Sequence, residues 1–213
     1  MTVAIIVANV AVYVYQSSLS SRGLGLFFMQ YGAVPSDLMG IPRSILSLDF
    51  AAGLQALGTM VTSMFVHGGF LHLAGNMLYL WVFGRDVEDD FGILPFLAFY
   101  LGVGLLSTAA FVIAFPSGKV PLVGASGAIS GLLGAYFLRF PARKIYTLII
   151  LIIIVRIIPI PAFFMLGYWF LIQFFSCVTS CTAGAAGQGG VAWLAHIAGF
   201  IAGIFWTILI LRQ

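Results

Sequence analysis

The sequence predicts an all-α polytopic membrane protein, a bundle of six transmembrane helices with a long first outer loop. Three observations carry this. Of 213 residues, 62% are hydrophobic and only 7% charged, where a soluble domain is about 25% charged. The mean hydropathy is +1.14, and fifteen charged side chains cannot coat a domain of this size. Apolar runs near span length recur along the chain, and the 25 glycines allow close contact between helices. The net charge of +3 is scattered without the basic stripe a phosphate backbone needs, so no nucleic acid is expected as a partner. Gly118-Lys119 lacks the spacing of a phosphate loop, so no nucleotide is expected either.

The first span is read over residues 2–16, slightly short, with neither the Lys or Arg nor the cleavage motif of a signal peptide. Residues 17–66 contain Pro35, Pro42, several glycines and the charges Arg22, Asp37, Arg43 and Asp49, and read as an outer loop with interface-lying apolar segments. Further spans follow at 70–84, 93–115, 122–140 and 191–211. The stretch after Ile145 is ambiguous. Its eleven-residue apolar run ends at Arg156 and precedes Pro159 and Pro161. Eleven helical residues rise only about 16 Å, half the hydrocarbon thickness. The fifth span is therefore placed at 161–180, with the earlier run as a membrane-dipping connector.

Six spans put Arg85, Arg139, Arg143, Lys144, Arg156 and Arg212 on one side and Arg22, Arg43 and Lys119 on the other. By the positive-inside rule the N-terminus is cytoplasmic and the loop 184–189 lies outside. The whole chain reads as one membrane domain.

Strongly polar groups inside spans are costly, so each one is a functional hypothesis. His67 and His72 precede Asn76 at the start of the second span, Ser126 opens the fourth among Gly124, Gly127 and Gly131, and His196 opens the last ahead of Gly199 and Gly203. In the six-span topology these three helices run in the same direction. Ser126 and His72 each stand 13 residues above a cytoplasmic arginine, and His196 stands 16 above. At 1.5 Å per residue these are matched heights of about 20 to 24 Å. The Gly127/Gly131 and Gly199/Gly203 pairs give two helices smooth faces for close approach, which would bring Ser126 within hydrogen-bond reach of His196. A serine that can pass its proton to a neutral imidazole is an activated nucleophile, and His72 with Asn76 could donate to an oxyanion opposite it. Asp86, Glu88, Asp89 and Asp90 lie far below on the cytoplasmic side, so a Ser–His dyad is expected rather than a triad. The acidic cluster itself reads as a solvated turn. His67 and His72 lie about 140° apart on a helix and no H-E-x-x-H motif occurs, so no metal and no cofactor is expected.

These residues resemble the rhomboid intramembrane serine proteases from about Thr62 to Ile210. The carriers are His67-x4-His72-x3-Asn76, a Gly84-x3-Glu88 turn, Gly124-Ala-Ser126-Gly127, and Ala195-His196 followed by Gly199 and Gly203. The resemblance implies Ser126 as nucleophile and His196 as base. It also implies His72, Asn76 and the Ser126 N–H as an oxyanion hole, and His67 as a support for the outer loop. Gly127 and Gly199 are expected to support the site by packing. The implied reaction is peptide-bond cleavage in or beside a transmembrane helix of a membrane-protein substrate. Two positions depart from the pattern. No Trp-Arg pair occurs before Trp81, and Ser130 stands where some members carry an aromatic that stacks on the base, leaving the support of the His196 ring unassigned. The main rival function is a catalytically silent rhomboid-like protein that binds or chaperones membrane helices. A transporter would need charged midplane pairs that the spans lack.

Overall fold

The computed structural model describes residues 1–46, 48–151, 154–183 and 190–211. Residues 184–189, expected on the outer side, and Arg212, used above to set the topology, lie outside the described residues. The chain begins with α1 (Thr2–Ser17). The stretch expected as a loop is largely helical: α2 (Ser21–Tyr31), α3 (Pro35–Met39), α4 (Ile41–Leu46), α5 (Phe50–Thr62) and a 3-10 turn at Ser63–Phe65. Local chemistry sets these starts. Ser20 and Asp49 cap α2 and α5 by accepting from Gly23 N and Ala52 N, and Pro35 opens α3. Then follow α6 (Phe70–Phe91), α7 (Ile93–Ala114), α8 (Ser126–Arg139), a hairpin of β1 (Lys144–Leu151) and β2 (Ile154–Pro161), α9 (Ala162–Thr182) and α10 (Trp193–Leu211).

Three helices among the described residues are long and apolar enough to cross a membrane: Ile93–Ala114, Ala162–Thr182 and Trp193–Ile210. α6 has the length but carries the acidic cluster, and α1 and α8 are shorter, at 16 and 14 residues. The central position of α8 explains its composition. Its residues from Ala128 to Tyr136 are all buried, so it packs on protein at every side. The core around it is formed by Leu80 and Phe83 of α6, Phe99 and Val103 of α7, Leu132 of α8 and Leu166 of α9.

Two expectations are corrected. The fold is not purely helical: the run placed as a membrane-dipping connector pairs with the residues after it as an antiparallel hairpin, from Lys144↔Pro161 to Leu151↔Ile154. Its Ile and Val residues are stiff at χ1 and favour strands. Pro159 and Pro161, which cannot donate, are tolerated because a two-stranded sheet has only edge strands. The second correction concerns the acidic cluster, which forms the last turns of α6 rather than a turn after it. Three of its four carboxylates have partners there. Asp86 accepts from Tyr136 Oη at 2.9 Å and pairs with Arg143, Glu88 accepts from Thr2 N at 2.7 Å, and Asp90 takes both Nε and Nη2 of Arg139. Gly92, at φ +86°, then ends α6 and starts α7.

Candidate functional site

α8 and α10 meet along their glycines. A Cβ at Gly199 would strike the carbonyl oxygen of Gly127, one at Gly203 the carbonyl of Gly131, and one at Gly134 the carbonyl of Phe200. The two backbones are therefore in direct contact, which larger residues would forbid. Gly127 also seats Ser107 of α7, whose hydroxyl donates to the Ala195 carbonyl at 2.7 Å. This fixes the first turn of α10.

That contact sets Ser126 and His196 side by side. His196 Nε2 lies 2.8 Å from Ser126 Oγ. The N-terminal ends of α6, α8 and α10 gather at one cavity of about 920 Å³. Ser126 is the first residue of α8, so the backbone N–H groups of that turn have no intrahelical acceptor and carry the positive end of the helix dipole. His72 and Asn76 line the same cavity. The loop entering α8 passes beneath His72 at Gly124, whose φ is +120°. A Cβ there would lie 2.7 Å from His72 Nε2, so the position requires glycine on both counts.

His67 is fully buried at the end of the segment that leads into α6. Its peptide is clasped by Gln16 of α1, whose Nε2 donates to His67 O and whose Oε1 accepts from His67 N at 3.2 Å. Its ring Nε2 lies 2.9 Å from Asn76 Nδ2 and accepts from it, which orients the amide and leaves the second Nδ2 hydrogen to the cavity.

Three contacts answer what holds the His196 ring. Trp169 of α9 packs beside it with centroids 6.2 Å apart at 30°, and Trp193 stands edge-on at 86°. Gln173 Oε1 lies 2.7 Å from Nδ1. Ser130 takes no part in this and instead donates to the Ser126 carbonyl at 2.6 Å. Sequence reasoning missed Gln16 and Gln173, although each is a buried primary amide in an apolar helix. A hydroxyl bonded to a neutral imidazole, facing convergent donors, is suited to nucleophilic attack on a carbonyl.

Residues 55–213 match the model of the Rhomboid domain. The chain is 29% identical over 154 residues to the Saccharomyces cerevisiae Rhomboid protein 1, mitochondrial, covering 70% of this chain and 40% of that protein. It is 38% identical over 104 residues to the Bacillus subtilis Rhomboid protease GluP, covering 46% of this chain and 20% of that one. It is also 40% identical over 76 residues to the Arabidopsis thaliana RHOMBOID-like protein 5, covering 36% of this chain and 25% of that one. The chain thus spans two fifths or less of each of these relatives. The domain match takes in every residue of the cavity named above, and the chain belongs to the rhomboid family.

Proposed function

We propose that this chain is an intramembrane serine endopeptidase that cleaves peptide bonds in or beside transmembrane helices of membrane-protein substrates. The observation that carries the reading is the 2.8 Å approach of His196 Nε2 to Ser126 Oγ inside a cavity also lined by His72 and Asn76. Ser126 Oγ attacks the scissile carbonyl carbon as its proton passes to His196 Nε2. The carbonyl oxygen, now an oxyanion, accepts from the free Asn76 hydrogen, from His72 and from the Ser126 N–H. His196 returns the proton to the leaving amine, giving an acyl-enzyme. A water then gives its proton to His196 while its oxygen attacks the ester, and the proton returns to Ser126 Oγ as the acid leaves.

In this reading the chain is a single membrane domain with spans at α1, α6, α7, α8, α9 and α10. The N-terminus is cytoplasmic and the cavity opens to the extracytoplasmic side. Arg139 and Arg143 at the far end of the bundle favour that orientation. α8 is about 21 Å long, less than the roughly 30 Å hydrocarbon core. Ser126 would then lie below the outer surface, reached by water through the cavity.

The test is cleavage of a type I transmembrane protein by the chain reconstituted in liposomes. Cutting should be lost in Ser126→Ala and in His196→Ala, and the double variant should be no slower than either. A Ser126→Ala protein that cuts at the wild-type rate, or a wild-type protein that binds the substrate helix without cutting it, would overturn the reading. The second result would favour a silent helix-binding role.

A further inference from the structure

We infer that Gln173 is a positioning residue that fixes the tautomer and ring plane of His196, making the site a Ser–His–Gln arrangement. The catalytic consequence rests on the protease reading above; the tautomer does not. α9 turns one stripe toward the bundle, in which Ala162, Leu166 and Gln173 are buried, and Gln173 is 5% exposed. A primary amide buried among apolar side chains is destabilising unless it is hydrogen-bonded. Its Oε1 reaches His196 Nδ1 at 2.7 Å, on the side of the ring opposite Ser126.

The chemistry follows from counting protons. A neutral imidazole has one N–H, and an amide oxygen only accepts, so the proton sits on Nδ1 and donates to Gln173. Nε2 is then a lone pair facing the Ser126 hydroxyl. Were the amide turned to offer its NH2, Nδ1 would accept, Nε2 would carry the hydrogen, and serine would have no base. Trp169 and Trp193 hold the ring from its face and edge, but neither selects a tautomer.

A carboxylate in this position would stabilise the imidazolium more strongly, but it would have to remain ionised at a buried position. Among the described residues the cavity wall carries no Asp or Glu. The titratable side chains there besides His196 are His72 and Tyr79, both of α6. α7 contributes the hydroxyls of Ser107 and Thr108, and α8 those of Ser126 and Ser130. A neutral acceptor therefore orients the base without adding charge.

The test combines rates with ring ¹⁵N NMR, the His196 signals being identified by their absence from His196→Ala. Wild-type protein should show a protonated Nδ1 and an unprotonated Nε2. Gln173→Leu, which removes the acceptor at similar volume, should lose that pattern and lower kcat by roughly 10²-fold with KM little changed, the scale of a misplaced catalytic group. Gln173→Glu should recover much of the rate at high pH and move the acidic limb of the kcat profile to higher pH, because a carboxylate beside Nδ1 favours the protonated ring. Unchanged kcat and unchanged ¹⁵N signals in folded Gln173→Leu would overturn the inference. If that variant does not fold, an unshifted acidic limb in Gln173→Glu overturns it. A wild-type protein that shows the Nδ1-protonated ring, loses it in Gln173→Leu and cuts no substrate would leave the positioning role standing and remove the protease reading.

Discussion

Gly203→Ala tests whether the α8–α10 contact sets the chemistry. Gly203 is seven residues after His196 and outside the cavity wall. A Cβ at that position would lie 2.6 Å from the carbonyl carbon and 2.7 Å from the Cα of Gly131. Carbon atoms pack best at about 3.5–4.0 Å. The obstructing atoms are backbone and cannot rotate aside, so the helices must separate by about 1 Å. The same two helices carry Ser126 and His196. Opened by that amount, their 2.8 Å contact would pass beyond hydrogen-bond length. A misplacement of this size costs about 10²-fold in rate, and overpacking of a close contact costs about 1–3 kcal/mol of stability. The assay compares initial cleavage rates in liposomes with thermal unfolding. The control is Gly58→Ala on α5, where a Cβ would meet nothing within 4 Å. A folded Gly203→Ala protein that cleaves at the wild-type rate would refute the claim that interlocked backbones hold the reacting pair.

Three further outcomes follow from the same geometry. Asn76→Ala should lower turnover by roughly 10²–10³-fold while substrate binding holds, as loss of one oxyanion donor does; steady-state kinetics separate the two effects. Gln16→Leu strips both partners from the His67 peptide, so thermal unfolding should show a loss of about 1–3 kcal/mol for each buried group left unpaired. Asp90→Asn weakens an ion pair whose side chains are 31% and 21% exposed, so stability should change by at most about 1 kcal/mol and cleavage should not change.

Most of the site was legible because helical arithmetic is rigid. Matched residue counts above charged ends gave Ser126, His72 and His196 one depth, and small residues at fourfold spacing gave the α8–α10 contact. Other features depend on what a residue meets, which spacing does not encode. Gln173 reaches His196 because α9 lies against α10, and Gln16 reaches His67 across 51 positions of chain. The available signal was the cost of a primary amide in an apolar helix. It was not applied to these two. The hairpin was partly legible. Its run was too short to span, and its Ile- and Val-rich composition was the strand signal. The helical continuation of α6 was hidden because charges were read as the end of a helix, whereas Arg139, Arg143 and Tyr136 supply partners from elsewhere in the chain.

The central claim is that Ser126 is a nucleophile activated by His196, and covalent capture tests it most directly. Purified protein treated with a fluorophosphonate, digested and sequenced by mass spectrometry should carry the phosphonyl group on Ser126 in the wild type and little or none in His196→Ala. A protein left unmodified, modified at another serine, or labelled equally without His196 would contradict the account.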